Sequence, residues 1–263
     1  MEKFNTIEFE LSKKIGTVWL NRPEIHNAFN AVMLKEIIEC YSEINKMNNV
    51  RVVVIRGRGK SFSAGADLNW MRDVAKYSYQ ENYNESLIVS ECFKTIYTCK
   101  KPTIAIVHGA AIGGANGFIA ASDYAFTEEN TTFSLSEVKI GIVPACISPY
   151  ILKRVGEFGT KDLMLSGRRI KGNEAEKYKL VNKSLPESEL NEYLEKIIRN
   201  LMTSGPYAMT SCKNLLYENA NLNSFYSSID YTANQIAERR ASKEGQEGMA
   251  SFLEKRKPNW IIK

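Results

Sequence analysis

Three short segments hold residue types that could do chemistry together. Ser63-Ala64-Gly65-Ala66-Asp67-Leu68 and His108-Gly109-Ala110-Ala111-Ile112-Gly113-Gly114-Ala115-Asn116-Gly117 are Gly/Ala-rich turns. Each follows an apolar, β-branched run and precedes a predicted helix. Small residues let another oxygen approach the backbone closely, and two N–H groups converging on one point stabilise a developing oxyanion. The third segment, Phe133-Ser134-Leu135-Ser136-Glu137-Val138-Lys139-Ile140-Gly141, frames a lone acid with apolar residues. Taken alone, a Glu in such a mixed segment reads equally as a solvated surface residue or as an acid whose pKa apolar surroundings raise, which would make Glu137 a usable proton shuttle near neutral pH. An oxyanion hole beside one carboxylate points to chemistry on an enolate rather than to simple ligand binding.

Other chemistry-bearing residues read as structural. Gly57-Arg58-Gly59-Lys60-Ser61 looks like the end of a phosphate-binding loop, but the leading glycine would fall at Val54 and no helix follows directly. Gly113-Gly114 does not complete a dinucleotide-binding GxGxxG. Ser61 and Ser63 lack the GxSxG elbow of a nucleophilic serine. Asp67 and Asp123 suit helix caps or local hydrogen bonds. His26 and His108 stand isolated, and Lys255-Arg256-Lys257 reads as a solvated end, although a basic tail could meet a phosphate. Five cysteines, an odd number without CxxC spacing, read as buried thiols in a reducing compartment. Two histidines are a poor basis for a metal site, so no metal is expected.

The elements that must position the turns and the acid follow from periodicity. Ile7 to Leu20 alternates as a two-stranded hairpin with Lys13-Lys14 near its turn. Ala31 to Asn45 carries Val32, Leu34, Ile37, Ile38, Tyr41 and Ile44 at helical spacing. Val50 to Arg56 and Pro102 to Val107 are buried-strand runs, each leading toward one of the turns, and Tyr124 to Thr127 is a further strand. Trp70 to Thr98 holds one or two helices, and residues 117–122 a short one. Between Val143 and Val155 a loop with Pro144 and Pro149 leads into another. Strand–turn–helix units recur without an exact sequence repeat, which makes residues 1–200 a β/α core. Ser204-Gly205-Pro206 is a natural boundary. Residues 201–263 are a helical tail too small to fold alone, expected to pack on the core or on another subunit.

The chain has 263 residues, enough for one large domain plus an appendage. With 44% hydrophobic and 25% charged residues it is not a disordered chain. The net charge of +5 suits an anionic, phosphorylated ligand. Its Lys and Arg are scattered, with no basic stripe interleaved with aromatics, so no nucleic-acid partner is expected. No long apolar stretch marks a signal peptide or a membrane span, and the expected location is cytoplasmic, away from membranes.

Leu20-Asn21-Arg22-Pro23 with Asn27-Ala28, Phe62 through Leu68, Gly113-Gly114, Ser136-Glu137-Val138, Gly141 and Pro144 form a specific set. With the end Gly248-Met249-Ala250-Ser251-Phe252-Leu253-Glu254-Lys255-Arg256, they make the chain resemble the crotonase superfamily, the enoyl-CoA hydratases and isomerases, over nearly its whole length. The resemblance implies an α/β fold, a crotonase-like spiral of ββα units with a C-terminal helical trimerisation region. A homotrimer or a dimer of trimers is expected. The resemblance also implies that the N–H groups of Ala66 and Gly114 hold the oxygen of an acyl-CoA thioester. Backbone at Ala64 and Leu68 would grip the adenine end of CoA, and Phe252 and Lys255 would reach the CoA of a neighbouring subunit. CoA is then part of the substrate, and no separate cofactor is implied.

One departure from the family pattern matters. Well-studied hydratases use two Glu, and here the first of those positions is Gly117, so only Glu137 remains. Two-acid hydration is therefore excluded. A single acid serves reversible hydration, Δ3,Δ2-enoyl-CoA isomerisation or decarboxylation in this superfamily. Gly117 is expected to leave space, so that a distal carboxylate of the substrate or another side chain helps place the water. Finer matches are Ala66 through Arg72, Tyr77-Ser78, Leu135 through Val138 and Pro144 through Tyr150. These are similar to the bacterial methylglutaconyl-CoA hydratases of leucine degradation. The expected activity is hydration of 3-methylglutaconyl-CoA. No Arg or Lys stands out as partner for the distal carboxylate, with Lys139 and Arg72 the candidates. Some hydratases of this type resemble RNA-binding proteins, a remote alternative here because the basic residues are dispersed.

Overall fold

The computed structural model describes residues 4–221 and 225–261. In chain order the strands are β1 (Ile7–Ser12), β2 (Ile15–Leu20), β3 (Val52–Gly57), β4 (Thr103–Val107), β5 (Ala110–Ile112), β6 (Tyr124–Glu128), β7 (Thr132–Ser134), β8 (Ile170–Lys171) and β9 (Lys183–Leu185). The helices are α1 (Ala31–Lys46), α2 (Leu68–Val74), α3 (Tyr79–Tyr97), α4 (Ala115–Ala121), α5 (Ser148–Ser166), α6 (Gly172–Lys177), α7 (Glu187–Met202), α8 (Pro206–Asn219), α9 (Phe225–Ala241) and α10 (Lys243–Leu253).

The hairpin forms where alternation places it, with Ile7 opposite Leu20. Lys13 and Lys14 take φ of 47° and 67°, the primed turn geometry that matches the twist of paired strands. From β2 onward the larger sheet is parallel and runs β1-β2-β3-β4-β6-β9. Both of its faces are covered, which is why β3 and β4 read as unbroken apolar runs. Val53, Ile55, Ala105 and Val107 face the main core with α1, α3 and α4. Val52, Val54, Ile104 and Ile106 face the other way, onto Leu190, Leu194 and Ile198 of α7. Those three repeat every fourth residue, the stripe of an amphipathic helix.

A second, three-stranded sheet runs β5-β7-β8. It was not legible as strands, because pieces of two or three residues carry no period. β5 lies inside the segment read as the second turn, and the helix expected over residues 117–122 begins earlier, at Ala115. The phase of α1 also differs by one position: Val32 is 47% exposed while Met33 is buried. Asn30 caps that helix by accepting from the Met33 N–H, which fixes where the first turn begins. The cysteines split: Cys40, Cys92 and Cys99 are buried, Cys146 is half-buried and Cys212 is exposed.

Helices α8 to α10 follow α7; α8 is fastened beside the sheet, and α9 and α10 pack on it and on each other. The Lys213 ammonium lies 2.6 Å from the Asp123 carboxylate and donates to the Lys101 carbonyl. Asp123 caps no helix. It accepts from the Thr103 N–H and hydroxyl and, with Lys213, fastens α8 to the start of β4. Glu244 in α10 accepts from the N–H groups of Tyr207 and Ala208, closing the N-terminus of α8. Among the described residues no helix is long and apolar enough to cross a membrane.

Candidate active site

The first turn is built from behind by Arg22 and Asn27. Asn27 is fully buried; its Nδ2 donates to the carbonyls of Arg58 (2.7 Å) and Ser61 (2.8 Å), and its Oδ1 accepts from the Arg22 N–H. Arg22 donates to the Ala28 carbonyl and pairs with Asp67 at 2.8 Å. Asp67 in turn caps α2, accepting from the Asn69 and Trp70 N–H groups. Burial alone would raise its carboxyl, but the Asn69 N–H, the Arg22 guanidinium and the Trp70 N–H outweigh it and hold Asp67 below its ordinary range. The sequence motif around Leu20–Ala28 is therefore a brace for this turn.

Phe29 then bridges the turn as a strand would. Its N–H donates to the Gly65 carbonyl (2.8 Å) and its carbonyl accepts from the Asp67 N–H (2.9 Å). A parallel bridge uses the groups on either side of Ala66. The Ala66 N–H itself is left out of it and makes no backbone hydrogen bond among the described residues. Gly65 has φ 91°, and a Cβ there would lie 2.5 Å from the Ile112 carbonyl oxygen, so only glycine fits where the two turns cross. His26 and His108 are structural, in contact with Ser61 Oγ (3.1 Å) and the Gly59 carbonyl (2.9 Å). Ser63 donates to the Asn27 carbonyl.

Asn116 organises the second turn. It is fully buried, and its Nδ2 lies 3.2, 2.9 and 3.0 Å from the carbonyls of Ala111, Gly113 and Ser134. One amide thus ties β5, the glycine turn and the end of β7 together. Its Oδ1 is buried without a partner among the described residues. Sequence reasoning missed Asn116; the signal was an amide side chain inside an otherwise Gly/Ala/Phe helix start. Gly114 precedes α4, at a position whose N–H has no intrahelical acceptor, and it makes no backbone hydrogen bond among the described residues. A Cβ on Gly114 would lie 2.7 Å from Phe29 Cζ. Phe29 therefore supports both turns, Ala66 through its backbone and Gly114 through its ring.

Glu137 follows β7 in the 3₁₀ turn Ser136–Ile140. Its Oε1 is 3.2 Å from where a Cβ on Gly113 would stand, so the carboxylate faces the glycine turn. Glu137 is half-buried, its Oε2 is buried without a partner among the described residues, and burial raises its pKa. The turns of Ala66 and Gly114 thus meet at Gly65 and Gly113, and Glu137 faces the second of them, which brings the three nominated residues into one neighbourhood, the candidate cleft. Ala64 and Leu68 lie exposed beside it; the Ala64 N–H is used by the His26 carbonyl. Phe252 is 82% exposed at the end of α10 and Lys255 is exposed just beyond, with no hydrogen bond or ion pair to the cleft residues among the described residues.

The expectation that Gly117 leaves space is wrong. A Cβ there would lie 2.5 Å from Phe93 Cζ and 2.6 Å from Ile147 Cγ2. The place of an acid in two-acid enzymes is filled by an aromatic ring from α3 and the residue just ahead of α5. Of the nominated cations, Arg72 donates to Asn69 Oδ1, and Lys139 is exposed with its stem beside Gly167.

Comparison with known proteins shows the family. Residues 10–262 match the family model described as enoyl-CoA hydratase/isomerase. The chain is 30% identical over 262 residues to a crotonyl-CoA hydratase of Syntrophomonas wolfei, covering 99% of each. It is 28% identical over 257 residues to a short-chain-enoyl-CoA hydratase of Clostridium acetobutylicum, covering 97% of each. Among solved structures, an enoyl-CoA hydratase from Shewanella pealeana is similar with a TM-score of 0.94 at 34% identity, covering 98% of this chain and 97% of that one.

Proposed function

The chain belongs to the enoyl-CoA hydratase/isomerase family, and from that premise we propose that it adds water reversibly to an enoyl-CoA thioester, with Glu137 as its single acid–base group. The observation that carries this reading is the buried, unpartnered Glu137 Oε2 beside the glycine turn. In the proposed reaction the thioester oxygen sits between the N–H groups of Ala66 and Gly114. The water oxygen bonds to Cβ while the Glu137 carboxylate takes a proton from that water. The double-bond pair moves onto the enolate, whose oxygen the two N–H groups stabilise. Glu137 then gives its proton to Cα and is a carboxylate again, so one water has been added and nothing else consumed. Removing one such donor typically costs about 100–1000-fold in rate.

The substrate we propose is 3-methylglutaconyl-CoA, supported by the likeness of residues 66–72 and 135–150 to that group of hydratases. Backbone at Ala64 and Leu68 would hold the adenine end. Phe252 and Lys255, exposed in one chain, would reach the CoA of a neighbouring subunit in a trimer or a dimer of trimers. The reading takes the enzyme as cytoplasmic. A second reading is favoured by Phe93 and Ile147 at Gly117: a cleft with no second acid suits allylic isomerisation, in which Glu137 takes a proton from Cα and returns it at Cγ. Incubation with 3-methylglutaconyl-CoA and, separately, crotonyl-CoA, with products followed by mass for water gain or carbon dioxide loss and by proton NMR for double-bond position, tests both. One water gained on the branched substrate and little on crotonyl-CoA is the expected result. No water gained on either sinks hydration; a shifted double bond then means isomerisation and released carbon dioxide means decarboxylation.

A further inference from the structure

We propose that a cavity between the C-terminal end of α7, the β1–β2 turn and the C-terminal segment binds a carboxylate carried on a medium-length apolar chain. The cavity encloses about 500 Å³, within the range of small-molecule sites, and shares no lining residue with the candidate active site. Ile15, Ile198, Met202 and Trp260 give it apolar walls. Its cations differ in how they are occupied. Arg199 is taken up by Glu195, one helical turn earlier at 3.2 Å, the one carboxylate lining the cavity among the described residues, against the three cations Lys13, Arg51 and Arg199. Arg51 is only 5% exposed; the Glu244 carboxylate acts on its charge without an ion pair among the described residues, and burial outweighs that help. It donates to two carbonyls, Ser204 at 2.6 Å and Trp260 at 3.5 Å, and its Nε is buried without a partner.

A buried guanidinium that hydrogen-bonds carbonyls only, with Glu244 acting on it without contact, is under-compensated, which is costly to keep out of water. An entering anion would relieve it through a charge-assisted hydrogen bond, and Lys13 at the same cavity adds attraction of the same sign. Inorganic phosphate would use these cations but leave the walls bare. A long-chain alcohol would cover the walls but leave Arg51 without a counter-charge. A single carboxylate on an apolar chain satisfies both at once.

Calorimetric titration of the full chain with octanoate, octanol and octylamine tests this. Saturable octanoate binding is expected, with octanol about tenfold weaker or worse and octylamine not binding, since a hydrogen bond to a charged group is worth about 1.5–3 kcal/mol. Arg51→Gln should weaken octanoate by a similar factor. Because Arg51 also holds two carbonyls and its variant could misfold, Met202→Trp is the second arm: it fills the cavity from another lining residue and should abolish binding while enoyl-CoA turnover stays unchanged. Equal affinity for octanoate and octanol overturns the proposal. So does octanoate binding that survives Met202→Trp, or that free CoA displaces, which would put it in the active-site cleft. Failure of octanoate to bind at all overturns it too, and none of these outcomes bears on the role of Glu137.

Discussion

Two positions flank the glycine turn, and the fold treats them in opposite ways. Across the cleft stands Glu137, half-buried, with one carboxylate oxygen unpartnered and its pKa raised by burial. Along α4 stands Gly117, closed over by Phe93 and Ile147 so tightly that not even a methyl group fits. One side keeps a costly polar group open to a ligand; the other is given over to packing. The difference teaches that, in the proposed reaction, proton transfer rests on one group, and that Gly117 is not a vacancy awaiting water but part of the core's wall.

The largest expected effect tests the polar side. Glu137→Gln keeps the shape and removes the titrating oxygen, so turnover should fall by about 100–10,000-fold, the usual contribution of a positioned acid–base group. CoA binding, read by thermal shift with free CoA, should persist. Full activity in this variant would break the comparison at once, because the two sides would then be equally inert.

Much of the polar side was legible in the sequence and little of the apolar side was. Glu137 announced itself by its apolar frame, and the two turns by their small residues between strand and helix, all local signals. Gly117 misled because its neighbours come from elsewhere in the chain: Phe93 lies in α3 and Ile147 beyond the Glu137 turn, and no local pattern brings them together. The strands β5 and β7 that hold the turn were hidden for a related reason, being too short to show alternation. The N-terminal motif was recognised as a likeness, but its work became visible only in three dimensions, through Asn27 and the Arg22–Asp67 pair.

Asn116 links the two sides, since its single amide holds both the glycine turn and the strand that leads to Glu137. Asn116→Ala removes this donor from three carbonyls; those of Gly113 and Ser134 keep the N–H groups of Asn116 and Gly113, so the cost should be about 1–3 kcal/mol in all. A shift of about 1 Å in reacting groups can cost about 100-fold, so kcat should drop by roughly that factor while KM changes little. A variant that loses stability but keeps kcat would make Asn116 a packing residue only, and would loosen the tie between the N–H groups and the acid.

Gly117→Ala sharpens the apolar side. The added methyl would press on a Phe93 ring already held against Phe118 and Tyr150, at 5.2 and 6.3 Å between centroids. Overpacking costs about 1–3 kcal/mol, offset by about 1 kcal/mol of helix propensity. The denaturant midpoint should therefore fall modestly. Gly117→Glu should be worse, adding an unpaired charge to the same wall. If Gly117→Glu folds and speeds hydration, the wall is not a wall and the contrast fails.

The smallest effect concerns the stability that Glu137 gives up to do its work. Its folded pKa is raised above the ordinary 4.5 by burial. Between those two values the folded chain holds more protons than the unfolded one, so stability falls as pH rises through that window and stays lower above it. Glu137→Gln, which never ionises, should therefore be more stable than the parent at pH 7–8, by about 1.4 kcal/mol for every tenfold by which folding tightens the hold of Glu137 on its proton. The gain should shrink as pH falls and vanish below the ordinary carboxylate range. The same titration should appear in kcat/KM for hydration, which needs the carboxylate: its acidic limb should lie above the usual carboxylate range. Denaturation of both proteins across pH, set beside the rate profile, tests whether one group produces both curves. A variant no more stable than its parent at pH 8 would mean that the acid is not strained by its surroundings. Glu137 and Gly117 would then differ in chemistry but not in the burden they place on the fold.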